Sequence, residues 1–565
     1  MTTAEKQQFT FQAEIRQLLH LLSHSLYQNK EITIRELVSN ASDSLNKMRH
    51  IQLSEERYRD EAPLEISLEP DAEKRILTIR DNGVGLTHEE LVTNLGTIAH
   101  SGSLEFLNKL SGDAKADLSL IGQFGVGFYS AFMLADKVEV VTRSYLETAG
   151  WRWESDGSGS YSIEPADDVP RGAQVRLHLK KDLDEFTNPH RLRTIIRKYS
   201  TFVPHPVKLE GEQLNEQRPI WVEPKSQLTD EQYNGFYQYL THHSDEQPLW
   251  RLHLSSDSPL QFHAILYCPP QNLELLGFGR FEEGLHLCAK RILVQDDCRD
   301  LLPEYLRFLR GLVDSEDLPL NVSRETLQDS AVLKRIGKVL TKRVLDYLAT
   351  FADENAEQYL EFYKQFGMVL RTGISNDFEH REKIAKLLRL RSSHNPDEFT
   401  SLDAYRERAG EEQKQIYYLG GPDLASIRKN PNLEIFRKRG IEVLYLPDPV
   451  DEFVLTNLGE YEKCRLVSID DANIELPPET AKEGAEEKAE EPAAPEKPQG
   501  FEAVLDLFRT GLGDKVVEVR ESKRLTDSPC CLVNPQGAMS AQLERALHMA
   551  NQDYELSKRI FEVNP

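Results

Sequence analysis

The chain is short of several features that would assign it to a class at once. Cysteine is scarce: six in 565 residues, at 268, 288, 298, 464, 530 and 531, with no C-x-x-C spacing. That excludes a disulfide framework or a zinc site as the organising feature. Long apolar runs are missing, and nothing approaches the roughly 20 residues that a membrane span needs. The opening residues, MTTAEKQQFTF, hold no apolar signal region, so the expected compartment is the cytoplasm, with no membrane partner. Positive charge is in deficit: 68 Lys and Arg against 93 Asp and Glu leave a net charge of −25. A nucleic-acid binder needs a basic surface to displace counterions, so no nucleic-acid partner is expected. The acidity reads as solubility. A Walker P-loop is missing too, because the only Gly-Lys pair, Gly337-Lys338, is followed by Val339.

What is present is a globular chain of several domains. The hydrophobic fraction is 39%, enough for packed cores, and the length implies three or four domains. Residues 1–212 read as one α/β unit. Phe9 to Phe11 reads as a short strand and Glu14 to Tyr27 as an amphipathic helix, followed by a central helix from Ile34 to Met48. Alternating runs at Leu64 to Leu68 and Ile76 to Ile79 predict hairpin strands. Further strands are predicted at Lys137 to Thr142, Trp151 to Glu154, Tyr161 to Glu164 and Gln174 to Leu179, and a helix near Pro189 to Tyr199. Residues 213–220 read as a short polar linker. Residues 221–478 hold a large α/β part, a helical part from Leu333 to Phe366, and a small α/β part. In the small part, strands Gln415 to Leu419 and Ile441 to Leu446 flank a helix that Gly440 ends. Residues 479–499 are a Glu/Ala/Pro-rich linker, and 500–565 begin a last α/β domain.

Three stretches carry the chemistry. On the central helix, Glu36, Asn40, Asp43 and Lys47 fall on one narrow face, opposite Ile34, Leu37, Val38, Ala41, Leu45 and Met48. The strand ending at Arg80 runs into Asp81-Asn82-Gly83-Val84-Gly85. A glycine-rich turn, Gly122-Gln123-Phe124-Gly125-Val126-Gly127-Phe128, opens the helical run FYSAFMLA, and successive N–H groups there suit a phosphate. Between the last two, Gly96 to Ser103 is small and polar, as a mobile lid would be, and the lid is expected near 94–128.

The order E-x-x-x-N, D-x-G-x-G, G-x-x-G-x-G resembles the ATP site shared by gyrase, heat-shock protein 90, histidine kinases and MutL. The flanking text is closer still: RELVSNASDSLNK, NLGTIAHSGSLEFL and IGQFGVGFYSAF resemble the bacterial branch of the heat-shock protein 90 chaperones. The resemblance implies an α+β or α/β multidomain protein. It would have an N-terminal two-layer α/β sandwich ATPase domain of the Bergerat type over 1–212, an α/β middle domain over 221–478 and a truncated α/β C-terminal dimerisation domain over 500–565. It implies an ATP-dependent chaperone that hydrolyses ATP slowly, with Mg²⁺, to drive conformational cycling on client proteins in non-native states, with co-chaperones as further partners. In the family the last domain continues with helices that form the dimer contact; the chain stops at Pro565, so a monomer or weak dimer is expected in place of the family homodimer.

The same resemblance assigns roles. Asp81 matches the carboxylate that accepts the adenine amino group, Asn40 the Mg²⁺ ligand, and Glu36 the base for the attacking water. Asp43 and Lys47, on the same helix face, and Gly85, Asn94, Gly122, Gly125, Gly127 and Phe128 are assigned to the nucleotide. Arg324, in LPLNVSRETLQ, matches an arginine that reaches the γ-phosphate, and Gln328 accompanies it. Two positions depart from the family pattern. His100 stands where lysine is usual, and a histidine carries less positive charge near neutral pH. Ala173 stands where a threonine usually bonds near the adenine, and losing that hydroxyl costs about 0.5–1.5 kcal/mol. Weaker nucleotide binding is expected from both. Two other readings are another ATPase of the gyrase/MutL superfamily and a scaffold with an impaired ATP cycle.

Overall fold

The computed structural model describes residues 29–109, 120–122, 125–215, 217–242, 245–258, 260–275, 277, 284–318, 331–410, 412–474, 476, 500–550 and 557–565. The strand at Phe9 to Phe11, the helix at Glu14 to Tyr27, and Arg324 and Gln328 lie outside them. The chain divides into two compact units. One comprises 1–270, 282–302 and 309–338; the other comprises 271–281, 303–308 and 339–565.

In the first unit, helix α1 (Ile32–Ser54) packs on an eight-stranded sheet. Its strands are β1 (Ile66–Asp71), β2 (Ile76–Asp81), β3 (Ala135–Arg143), β4 (Gly150–Ser155), β5 (Ser162–Ala166), β6 (Gly172–Leu179), β7 (Val207–Leu209) and β8 (Glu212–Gln213), in the order β5-β4-β3-β6-β2-β1-β7-β8. All neighbours pair antiparallel except β1 and β7, which are parallel. The predicted apolar stripe of α1 is buried: Ile34, Leu37, Val38, Ala41, Leu45 and Met48 are each 5% exposed or less. Leu37, Val38, Ala41 and Leu45 share one core with Leu68, Leu77 and Ile79 of the sheet. In β2 the period-2 alternation buries Leu77, Ile79 and then Asp81, so the strand delivers a carboxylate to its core-facing side. Two further helices are α2 (Gly102–Lys109) and α3 (Pro189–Tyr199), the latter with the predicted bounds.

A second sheet of the same unit has the order β12-β11-β13-β10-β9, from β9 (Trp250–Ser256), β10 (Phe262–Cys268), β11 (Leu285–Ala289), β12 (Ile292–Cys298) and β13 (Arg310–Ser315). The strand-like stretch LHLCAKRILVQ is the hairpin β11–β12. Its turn residues Lys290 and Arg291 both have positive φ, 53° and 66°, a geometry that Asn-Gly usually supplies. Residues 213–220 are tied in: Asn215 accepts from the Val207 N–H at 2.7 Å and donates to the Val203 and His205 carbonyls, and Ile220 is buried. The first unit therefore runs on through this stretch.

In the second unit the helical stretch from Leu333 resolves into α4 (Ala331–Glu354), which begins in the first unit, and α5 (Ala356–Arg371), broken at Asn355 (φ −136°, ψ 59°). A six-stranded sheet follows, ordered β15-β14-β17-β16-β19-β18: β14 (Leu390–Ser392), β15 (Phe399–Thr400), β16 (Gln415–Gly420), β17 (Val443–Leu446), β18 (Glu460–Tyr461) and β19 (Cys464–Ser468). Helix α6 (Glu434–Arg439) ends at Gly440 in the left-handed region, φ 68°, as the sequence implied. The last residues form β20 (Val516–Glu521), β21 (Cys530–Val533) and β22 (Arg559–Val563), with helices α7 (Phe501–Leu512) and α8 (Ala541–Ala550). The closing residues, read only as a chain end, are the central strand β22, parallel to β20 and antiparallel to β21. A side chain at Gly440 would meet no atom within 4 Å, so only the backbone conformation penalises it. Gly440→Ala should therefore lower stability by about 1 kcal/mol, measured as a shift in denaturant midpoint with the slope unchanged; no shift would mean the helix end relaxes elsewhere.

Candidate functional site

A cavity opens between α1, the end of β2 and the segments 94–103 and 122–128. Glu36, Asn40 and Lys47 line it from α1, and Asp81, Gly85 and Ala173 line it from the sheet side. Asn94, His100, Gly122, Gly125, Gly127 and Phe128 complete it. The three sequence stretches thus meet at one place. Among the described residues, no group of three or more His, Cys, Asp or Glu side chains could hold a metal, and no helix is long and apolar enough to cross a membrane.

Asp81 is the most unusual group in it. The carboxylate is 7% exposed, and burial pushes its pKa up to about 6. The opposing hydrogen bonds both fall on Oδ1, from the Gly83 N–H at 2.9 Å and the Ser44 hydroxyl at 2.8 Å. Lys47 and Arg171 add weaker favourable charge. Ser44 escaped the sequence reading; its only signal was a place one position past Asp43 on the helix. Gly83 is needed for close approach, since a Cβ there would lie 2.3 Å from Ser44 Oγ. Lys47 itself has its pKa drawn down by burial, against the pull of Asp43, Glu90 and Asp81.

Glu36 is 3% exposed and takes both Nε and Nη2 of Arg35 on Oε1, at 3.1 and 2.9 Å. Oε2 lies toward Gly127, where an added Cβ would sit only 2.6 Å away. Arg35 is fully buried, and nothing in the helical periodicity singled it out. Asn40 Oδ1 faces Gly122, 3.2 Å from a Cβ placed there.

Asp43 is placed differently from its neighbours on the polar face. It does not line the cavity. Its carboxylate accepts from the backbone N–H groups of Ile121 (2.8 and 3.1 Å) and Gly122 (2.7 Å) and from the Ser103 hydroxyl (3.2 Å). One buried acid on α1 therefore holds both the start of α2 and the segment before the glycine-rich turn. Ser101 adds a bond to the Gly122 carbonyl at 2.6 Å, and Tyr129 donates to the Leu95 carbonyl at 2.9 Å. Gly125, with φ +64°, passes so close to His100 that a Cβ would lie 2.1 Å from its carbonyl oxygen. The His100 ring sits between Asn94 Oδ1 (3.1 Å from Nδ1) and Glu105 Oε1 (3.0 Å from Nε2), so it braces the lid segment from within. From the second sheet, Lys290 Nζ donates to the Leu120 carbonyl at 2.7 Å.

Residues 27–168 match the family model described as histidine kinase-, DNA gyrase B- and HSP90-like ATPase, and residues 208–565 match the model described as Hsp90 protein. Among curated proteins, the chaperone protein HtpG of Desulfitobacterium hafniense (strain Y51) is 46% identical over 98% of this chain and 90% of its own length. The HtpG of Nitratidesulfovibrio vulgaris is 45% identical over 98% of this chain and 88% of its own. That of Oleidesulfovibrio alaskensis is 43% identical over 100% and 88%.

The Asp43 geometry makes a prediction of its own. Asp43→Ala leaves the two N–H groups and the Ser103 hydroxyl without their acceptor, at about 1–3 kcal/mol for each buried group left unsatisfied. Hydrogen exchange at Ile121 and Gly122 should accelerate strongly, with Asp43→Asn intermediate because one oxygen remains. Unchanged exchange at both amides would show that the carboxylate does not hold the segment.

Proposed function

The chain belongs to the Hsp90 family, and from that premise we propose how the cavity beside α1 does the family's work. The protein is an ATP-dependent molecular chaperone, and it hydrolyses ATP. The family binds client proteins and usually works as a homodimer. The match to the Hsp90 model over 208–565 disfavours the topoisomerase and mismatch-repair alternatives.

In our reading the adenine lies against Asp81, and the observation that carries it is the one-sided bonding of that carboxylate. Both protein donors address Oδ1, so Oδ2 is left for an amino group in a cavity that the residue lines. The phosphates lie toward Gly122 to Phe128, and Asn40 and Lys47 face them from α1. The chain's own donor set fits Mg²⁺ arriving with the nucleotide: Asn40 supplies one neutral oxygen, as suits an ion that keeps several of its waters. Bound there, Mg²⁺ would neutralise phosphate charge. Glu36 is the base, with Arg35 bonded to Oε1 and Oε2 lying toward Gly127, on the phosphate side of the cavity. Asp43 acts through the lid segment and not on the nucleotide. Arg324 and Gln328 are retained as the phosphate-side partners on the strength of the family resemblance alone.

We further propose the domain division 1–212, 221–478 and 500–565, co-chaperones as additional partners, and the bacterial cytoplasm as the compartment.

Two experiments test the site. Glu36→Ala should leave ATP affinity within a few-fold and lower turnover by roughly 10²–10⁴, the worth of a general base; turnover near the unmutated rate would place the base elsewhere. For Asp81 the sign follows from its raised pKa: below about 6 the carboxyl is protonated and cannot accept from the amino group. ATP affinity measured by calorimetry should be level above pH 7 and fall toward tenfold per unit below pH 6. Asp81→Asn should bind poorly at every pH. Affinity that holds down to pH 5 in the unmutated protein would remove Asp81 from adenine recognition.

A further inference from the structure

A second cavity lies wholly within the second unit. It sits among the end of β16, residues 426–432, Asp470, Asn534 and the first turn of α8. Its walls carry buried acceptors without donors. Gln542, 8% exposed, donates Nε2 to the Pro447 carbonyl at 3.3 Å, which fixes the amide and leaves Oε1 as its acceptor beside Gly420. That Oε1 has no hydrogen-bond partner among the described residues. Nor does Asn432 Oδ1 on the wall of the same cavity, in a residue 3% exposed. Glu452 Oε2, also in a residue 3% exposed, is a third such atom, lying behind Gly420. It converges with Gln542: a Cβ on Gly420 would be 2.4 Å from Glu452 Oε2 and 2.5 Å from Gln542 Oε1, so glycine is needed for both oxygens to approach the backbone there.

The charged groups around the cavity are of both signs, Asp470 and Glu544 against Arg545 and Arg559. Asp470 lines it, with its carboxylate accepting from Ser468. Arg559 is committed to Glu544 and to the Met539 carbonyl, and Arg545, which also lines the cavity, is an exposed side chain. An anion would face oxygen atoms on several sides. A group that is all donors relieves them, because buried acceptors are ordinarily bonded and those left bare are destabilising. Guanidinium and ammonium groups have donors and no acceptors, and guanidinium gives up its water more readily.

We propose that this cavity binds an organic cation rich in N–H donors, a guanidinium or primary ammonium group, carried by a free small molecule or by an arginine or lysine side chain of a peptide. The site is separate from the nucleotide cavity and does not rest on the roles given to Glu36 or Asp81.

The test is a calorimetric titration of the full chain with agmatine and with N-acetyl-arginine amide, using N-acetyl-citrulline amide as the uncharged control. Saturable binding of a guanidinium ligand is expected, with citrulline weaker by about tenfold or more, the worth of charge on a hydrogen bond. Binding of agmatine alone identifies a small-molecule source; binding of the arginine amide identifies a side chain. Gln542→Met and Gly420→Ala should each weaken the bound cation by about tenfold or more, with ATP turnover unchanged. Gln542→Met should melt no lower than the unmutated chain, since it deletes a bare acceptor. No saturable binding of either cation at millimolar concentration overturns the proposal. So does binding that both variants leave intact. A Gln542→Met variant that melts higher in a chain that binds neither cation would assign the oxygens to solvent, or to a proton shared by Glu452 and Gln542.

Discussion

A carboxylate kept in an apolar setting, Asp81, sets the terms for the rest of the first unit. Burial raises its pKa from the ordinary 3.8 to about 6, so its ionised form weakens the fold as pH rises between those values. The difference is of order 3 kcal/mol at neutral pH. A strand end that merely closed a hairpin would not carry that penalty. The arrangement limits it with two donors on a single oxygen, and those donors dictate the neighbourhood. The hydroxyl must come from α1 at Ser44, so the helix must lie close to the turn, and Gly83 permits that approach. The buried stripe of α1 then fixes the helix rotation, and that rotation turns Glu36, Asn40 and Lys47 toward the cavity.

The second acid of α1 is satisfied by opposite means. Asp43 takes two backbone N–H groups and a hydroxyl, so its charge is spent on chain segments that could otherwise move. Asp81 is left half-bonded and faces the cavity; Asp43 is fully bonded and faces the lid. The contrast separates a recognition group from a positioning group in terms of hydrogen-bond accounting alone.

The central helix, its apolar face and the three motifs were legible because each has a period or a spacing that only one structure satisfies. Helix α3 and Gly440 were equally plain from a capped amphipathic run and a single left-handed position. Other features had no such signature. Asp43 sits on the same helical face as Asn40, and a wheel does not say which of two polar residues meets a ligand and which meets a backbone. Arg35 lies between the apolar stripe and the polar face, where the wheel predicts neither burial nor exposure, and it is buried against Glu36 as partner. The β11–β12 hairpin turns through Lys290 and Arg291, residues that carry no turn preference, so tertiary pairing overrode local propensity. Residues 213–220 looked like a linker because they are polar, yet Asn215 spends its amide on three backbone groups.

The second unit repeats this distinction among acids over a different interval of pH. Burial would raise the Glu434 pKa, but N–H groups of Asp527, Thr526 and Ser528 outweigh it and hold it down to about 2. A depressed acid stabilises above its unfolded value and loses that contribution as pH falls from about 4.5 toward 2. The tie between α6 and residues 526–528 is therefore at full strength above about pH 4.5. Glu452 lies at the other extreme, pushed up to about 7 by burial and the nearby Asp470 charge, with a Ser540 hydrogen bond and the Arg559 charge against it. Its charge near neutrality answers to its surroundings, and it stands beside Gly420 on the wall of the second cavity. A cation arriving there would draw its proton off, whereas an empty cavity favours the neutral acid. Occupancy of the second cavity and the protonation of Glu452 are thus linked, each shifting the other by the same factor.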